Sequence, residues 1–132
     1  MKLELSGCII LKEKSVLLLK RKDQGHWEIP GGKIREGDTP EQTALREAQE
    51  ETGCKIKILK FLGNFDMYVP KKNITVNSYY YLAKIIEGTP RVTEPEVFSN
   101  IKYIHFLELE KINLAPNIKM ILEGKLKNFE FK

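Results

Sequence analysis

The run from Gly32 to Cys54, GKIREGDTPEQTALREAQEETGC, contains a helix bracketed by its own start and stop signals. Thr39 suits the N-cap, Pro40 the first helical position, and Gln42 completes a capping box three residues after the cap. Gly53 stands where a left-handed residue ends a helix. The expectation is a helix over residues 40–52.

On that helix Glu47, Glu50 and Glu51 fall within an arc of about 100°, because each residue turns the chain by about 100° and the offsets are three and four. Like charges at i,i+4 cost a helix about 0.2–0.5 kcal/mol per pair, so the cluster calls for a compensating cation. Oxygen-only ligands select hard ions, Mg²⁺ or Mn²⁺ before Zn²⁺. Ala44, Leu45, Ala48 and Thr52 occupy the other angles and are expected to pack on a sheet, leaving acidic and buried sides distinct. A solvated acidic face would carry the same pattern, so the helix alone leaves both readings open.

The segment just upstream decides between them. Residues 23–38 are punctuated by Gly25, Pro30, Gly31, Gly32 and Gly37 and read as a long structured loop. Pro30-Gly31-Gly32 permits close backbone approach, and its carbonyl oxygens suit a hard metal.

Around this centre the chain reads as alternating strands. Leu3, Leu5, Gly7 and Ile9 alternate, Lys12-Glu13-Lys14-Ser15 turns, and Val16-Leu17-Leu18-Leu19 returns, which predicts a β-hairpin. Further strands are expected over residues 56–65, 74–86 and 101–106, with breaks at Pro70-Lys71-Lys72-Asn73 and Gly88-Thr89-Pro90. Ile118, Ile121, Leu122 and Leu126 sit near helical spacing, so an amphipathic helix is expected over residues 116–126.

The bulk numbers set the frame. A chain of 132 residues, 42% of them hydrophobic, suits one domain spanning residues 1–132. The net charge of +4 arises from 22 basic and 18 acidic residues spread along the chain, so ordinary solvated surface explains it and no stable nucleic-acid partner is expected. Cys8 and Cys54 lie in apolar surroundings without Cys-x-x-Cys spacing, which argues against a disulfide framework and for a reducing, cytoplasmic setting. The apolar run from Gly7 to Leu11 is too short for a signal-peptide core or a membrane span, so a soluble protein is expected.

The run from Gly32 to Cys54 also resembles the signature, or box, of the Nudix hydrolases, Gly-x5-Glu-x7-Arg-Glu-U-x-Glu-Glu-x-Gly-U with U aliphatic. Here it reads Gly32-x5-Asp38-x7-Arg46-Glu47-Ala48-x-Glu50-Glu51-x-Gly53-Cys54, preceded by a similar lead-in, Trp27-Glu28-Ile29-Pro30-Gly31. Asp38 departs from the usual glutamate by one methylene, and Cys54 stands in for an aliphatic residue.

The resemblance implies an α/β/α sandwich around a mixed β-sheet and Mg²⁺-dependent hydrolysis of a nucleoside diphosphate linked to another group, by water attack on phosphorus, with Mn²⁺ as a substitute. By the same resemblance Glu47, Glu50 and Glu51 ligate metal, Gly31 adds its carbonyl, and Arg46 holds a box glutamate. The general base is left between a box glutamate and Glu94 or Glu96. Gly88-x-Pro90-x-x-x-Glu94 resembles the loop of the MutT-type branch that brings a further glutamate to the metals, and Pro70-x-x-x-Ile74-Thr75 also fits that branch.

Pro116-Asn117 resembles the branch's base-contacting asparagine, and an N-cap role for Asn117 stands beside that reading. Tyr79, Tyr80 and Tyr81, with Phe65, are candidates to stack on a base, with core packing as the alternative. The leading expectation is therefore a housecleaning (deoxy)nucleoside triphosphate pyrophosphohydrolase, with an oxidised purine nucleotide among its candidate substrates. ADP-ribose or dinucleoside polyphosphate hydrolysis is the second reading, and a nucleotide-binding regulatory domain without turnover is the third. The expected partner is a small nucleotide, and monomer or homodimer is left open.

Overall fold

The computed structural model describes residues 2–131. Strands β1 (Lys2–Lys12) and β2 (Ser15–Arg21) form the expected hairpin, with Glu13 at φ 56° in its turn. The glycine-rich loop is less bare than its composition suggests, because it contains two short strands, β3 (Trp27–Glu28) and β4 (Gly31–Lys33). β3 pairs with β2 and β4 with β1, so backbone groups of the loop are satisfied by the sheet.

Helix α1 (Pro40–Thr52) follows, then β5 (Lys55–Val69), a 3₁₀ turn at Pro70–Lys72, and β6 (Ile74–Glu87). β7 (Phe98–His105), a second 3₁₀ segment at Phe106–Lys111 and helix α2 (Pro116–Leu122) complete the order. α2 is shorter than expected. Glu123 caps it and Gly124 turns the chain at φ 93°, yet Leu126 still reaches the core from outside the helix.

The strands form one mixed sheet in the order β3-β2-β1-β6-β5, with β4 added to β1 and β7 to β2. β1 and β6 run parallel from Lys2↔Thr75 to Ile10↔Ala83, while β5–β6 and β2–β7 are antiparallel. Because side chains alternate along a strand, neighbouring apolar residues serve opposite faces. Ile9, Val16, Leu18 and Tyr80 face the layer holding Leu109, Leu114, Ile118 and Ile121. Cys8, Ile10, Leu17, Tyr81 and Ala83 face Ala44 and Ala48 of α1. A sheet covered on both sides needs such unbroken apolar runs, and the result is the expected α/β/α arrangement. Among the described residues no helix is long and apolar enough to cross a membrane.

Candidate active site

α1 begins and ends as its sequence predicts. Thr39 Oγ1 accepts from Gln42 N at 3.1 Å, Gln42 Oε1 accepts from Thr39 N at 2.9 Å, and Gly53 takes φ 70°. Two contacts from β1 set its depth: Ser6 Oγ donates to Pro40 O at 2.6 Å and Cys8 Sγ to Ala44 O at 3.4 Å.

The acidic and buried sides of α1 are not distinct, contrary to the simple helical reading. At about 100° per residue, Thr43, Ala44, Ala48 and Thr52 span half the helix circumference, and Glu51 falls in the middle of that arc. Glu51 is accordingly only 6% exposed, whereas the Glu50 side chain, at the edge of the arc, is 53% exposed. Leu45 is only partly buried.

Two glycines make room for these carboxylates. Gly31 N donates to Glu51 Oε1 at 3.1 Å, so the structure records the amide of Gly31 at the site rather than a carbonyl contact. A Cβ on Gly31 would lie 2.7 Å from Ser6 O, and one on Gly32 would lie 2.6 Å from Glu47 Cδ. β4 thus lies against α1 with no side chain between backbone and carboxylates.

Arg46 makes its hydrogen bond to Asp38, Nη1 to Oδ2 at 2.5 Å, so the shorter side chain at position 38 does reach its partner. Glu47 and Glu50 lie at longer ion-pair distances from Arg46, 3.7 and 3.9 Å. Arg46 Nη2 and Nε, the atoms nearest them, are buried and have no hydrogen-bond acceptor among the described residues.

The electrostatics single out Glu51. Burial pushes its carboxyl up to about 9; the Gly31 amide opposes the rise, and Glu47, Glu28 and Glu94 add to it. Burial also raises Glu28, against the Arg21 guanidinium 3.2 Å away. Glu94 is raised first by desolvation and then by Glu96, Glu47 and Glu50. Glu28, Glu47 and Glu94 thus act on Glu51, and Glu47 and Glu50 on Glu94, across three segments of chain. Glu96 instead lines a shallow cleft with Arg21, Lys22 and Asp23.

Among the described residues no three carboxylate, imidazole or thiol groups are drawn into a ready metal cage. The chemistry of the donors nonetheless fits a hard divalent cation. A carboxyl this buried, with further carboxylates around it and backbone held close by Gly31 and Gly32, ionises readily only beside compensating positive charge.

A cavity of about 240 Å³ opens from this cluster, and its wall includes Glu51, Glu28, Gly31, Gly32, Tyr80 and Asn117. Asn117 is the second residue of α2, and the N-cap position belongs to Ala115, so the capping role is excluded. Asn117 Nδ2 instead donates to Tyr80 Oη at 3.0 Å. The three consecutive tyrosines alternate. Tyr80 turns toward this cavity and stacks on Phe65 at 5.3 Å, Tyr79 contributes to the wall, and Tyr81 packs under α1, away from the cavity.

The residue pattern assigns no site role to Glu28, whereas Tyr80 is among the candidate stacking residues and does line the cavity. Strand alternation around the buried Trp27 and Ile29 was the available signal for Glu28. Trp27 itself is structural: its backbone bonds to Asn113 O and Ala115 N tie the sheet to the segment that carries α2.

Comparison with known proteins agrees with this geometry. The model of the NUDIX domain family matches residues 4–123. A putative 8-oxo-dGTP diphosphatase, YtkD of Bacillus subtilis, is 42% identical over 64 residues, which cover 48% of this chain and only 40% of that relative's length. The 8-oxo-dGTP diphosphatase of Escherichia coli is 33% identical over 94 residues, covering 67% of this chain and 71% of the relative. An ADP-ribose pyrophosphatase of Methanocaldococcus jannaschii is 41% identical over 124 residues, covering 92% of this chain and 69% of the relative. Among solved structures, a MutT NUDIX hydrolase from Burkholderia pseudomallei superposes with a TM-score of 0.83 at 25% identity, covering 95% of this chain and 98% of that one.

Proposed function

This chain belongs to the Nudix family, and from that premise we propose that it is a Mg²⁺-dependent pyrophosphohydrolase that cleaves a purine (deoxy)nucleoside triphosphate to the monophosphate and pyrophosphate. In this reading Glu47, Glu50, Glu51 and the Gly31 carbonyl hold the cation, with Mn²⁺ able to replace Mg²⁺. When bound, the cation neutralises the diphosphate and lowers the pKa of the attacking water.

The remaining work falls to the chain. Arg46, anchored on Asp38, keeps positive charge beside Glu47 and Glu50. Glu94, or a box glutamate, takes the proton from the attacking water. Asn117, with one amide hydrogen committed to Tyr80, has its carbonyl oxygen left for a purine edge. The observation that carries this reading is the shared cavity, which has the buried Glu51 carboxyl in one wall and the Asn117–Tyr80 pair in another. The relatives described as 8-oxo-dGTP diphosphatases support an oxidised purine nucleotide as substrate. The partner is then a small nucleotide and the setting the cytoplasm.

A second reading, ADP-ribose hydrolysis, is favoured by the Methanocaldococcus jannaschii relative, whose similarity runs over nearly the whole chain. A panel of 8-oxo-dGTP, dGTP, ATP, ADP-ribose and a dinucleoside polyphosphate, each with Mg²⁺ and with chelator, separates the readings by product. Pyrophosphate and a nucleoside monophosphate from a purine triphosphate, in Mg²⁺ only, is the expected result. AMP and ribose 5-phosphate from ADP-ribose, with no triphosphate cleaved, would establish the second reading. Binding without turnover would identify a nucleotide-binding domain.

A further inference from the structure

The loop between β6 and β7 is held against the end of α1 by contacts that the box pattern does not contain. Thr93 Oγ1 donates to Glu50 O at 2.5 Å, Arg91 Nη1 donates to Gly53 O at 3.0 Å, and Arg91 N donates to Thr52 O at 3.0 Å. These acceptors belong to the last turn and cap of α1, where carbonyl groups have no partner within the helix. α1 has no basic residue of its own in that turn, and the Arg91 guanidinium brings positive charge to its negative dipole end from another element. Gly53 makes this possible, because a Cβ there would collide with the guanidinium.

Immediately after Thr93 comes Glu94, and its far side is fixed as well. Val97 N and Phe98 N both donate to Glu94 O at 2.9 Å, opening β7, and Lys22 N donates to Val97 O at 2.9 Å, tying the turn to β2. Glu94 therefore sits at the joint between a clamp on α1 and a turn on the sheet.

We propose that Thr93 and Arg91 are positioning residues that lock the β6–β7 loop onto the C-terminal end of α1, and so fix Glu94 beside Glu47 and Glu50. This rests on the reading of Glu94 as a carboxylate that serves the metal-bound diphosphate and its attacking water. The hydrogen bond from Thr93 to Glu50 O puts the adjoining Glu94 next to the end of α1 that carries Glu50 and, one turn back, Glu47. A misplacement of about 1 Å at a reacting centre is enough to cost up to a hundredfold in rate, so three hydrogen bonds at this joint have leverage on catalysis.

The test is a mutant cycle on the full chain. Glu94→Gln is measured first, and a wild-type rate in that variant would refute the reading of Glu94 and the proposal with it. With Glu94 established, Thr93→Val, which removes the donor and keeps the shape, is expected to lower kcat by about ten- to a hundredfold. KM is expected to stay within about twofold, and Thr93→Ser to restore the rate. Arg91→Gln is expected to act in the same direction.

In the Glu94→Gln background Thr93→Val should cost nothing further, since the residue acts through Glu94. Mn²⁺ affinity, read by electron paramagnetic resonance without substrate, should fall in Thr93→Val and in Glu94→Gln alike. A wild-type kcat in Thr93→Val, or an equal loss with and without Glu94, would overturn the proposal and leave the loop contacts as helix capping alone.

Discussion

The two ends of the cavity are assembled in different ways. The carboxylate end presents Glu51, which shares α1 with Glu47 and Glu50, against Gly31 and Gly32 from the loop that precedes the helix. The other end joins Tyr80 of β6 to Asn117 of α2, 37 residues apart, and the wall also takes Arg21, Glu28 and Phe98 from three further strands. The first end is a local arrangement fixed by helical geometry, and the second exists only once the sheet has closed. In the proposed reading, chemistry that needs fixed charge spacing falls to the helical part, and selection among nucleotides to the part that side-chain changes alter most freely.

The contrast can be broken most forcefully at Glu51 and Glu50. Glu50→Gln and Glu51→Gln should each lower turnover by roughly two to three orders of magnitude, as expected when an electrostatic stabiliser is lost, while circular dichroism stays that of the wild type. Wild-type activity in either variant would mean that the metal face has been misassigned.

Stability against pH tests the burial of Glu51 in the protein kept in chelator. Its carboxyl is raised from 4.5 to about 9, so between those values the folded state holds a proton that the unfolded chain has released. Stability should therefore fall as the pH rises from about 4.5 towards 9, with the loss complete above that range. Glu51→Gln should flatten this dependence in urea unfolding series, and an unchanged slope in that variant would place the titration elsewhere.

Gly32→Ala probes the close approach itself. A methyl group 2.6 Å from Glu47 Cδ pushes the end of that flexible side chain aside, so turnover should fall by about tenfold or more while stability changes by less than about 1 kcal/mol. Normal turnover would show that the approach of β4 to Glu47 does not matter to the site.

At the other end, Asn117→Ala should raise KM for the preferred nucleotide by about tenfold, equivalent to one hydrogen bond at about 1.4 kcal/mol, with kcat little changed. A fall in kcat at constant KM would assign Asn117 to the chemistry instead. The smallest effect is expected at the start of α1, where Thr39→Ala should cost about 1 kcal/mol in unfolding experiments through loss of the capping box.

What could be read from the residues alone follows the same division. Thr39, Gln42 and Gly53 bounded α1 correctly because caps and stops depend on neighbours within a few positions. Helical spacing placed the three glutamates on one arc, but it could not reveal that Glu51 lies inside the buried half, since that depends on where β1 docks through Ser6 and Cys8. Alternation could not choose among Tyr79, Tyr80 and Tyr81, because both faces of β6 are covered and each tyrosine suits a core. The Tyr80–Asn117 and Arg21–Glu28 pairs depend on register and on where α2 lands, which local pattern does not encode.

The central claim, that the carboxylates of α1 hold a hard divalent cation through the buried Glu51, is tested most directly by calorimetric titration of Mg²⁺ and Mn²⁺ into three proteins. These are the wild type, Glu51→Gln, and Glu108→Gln as a control at an ion pair remote from the box. Saturable binding to the wild type and the control, with Glu51→Gln weakened by at least about tenfold, is the predicted result. Equal affinity in all three proteins would contradict it.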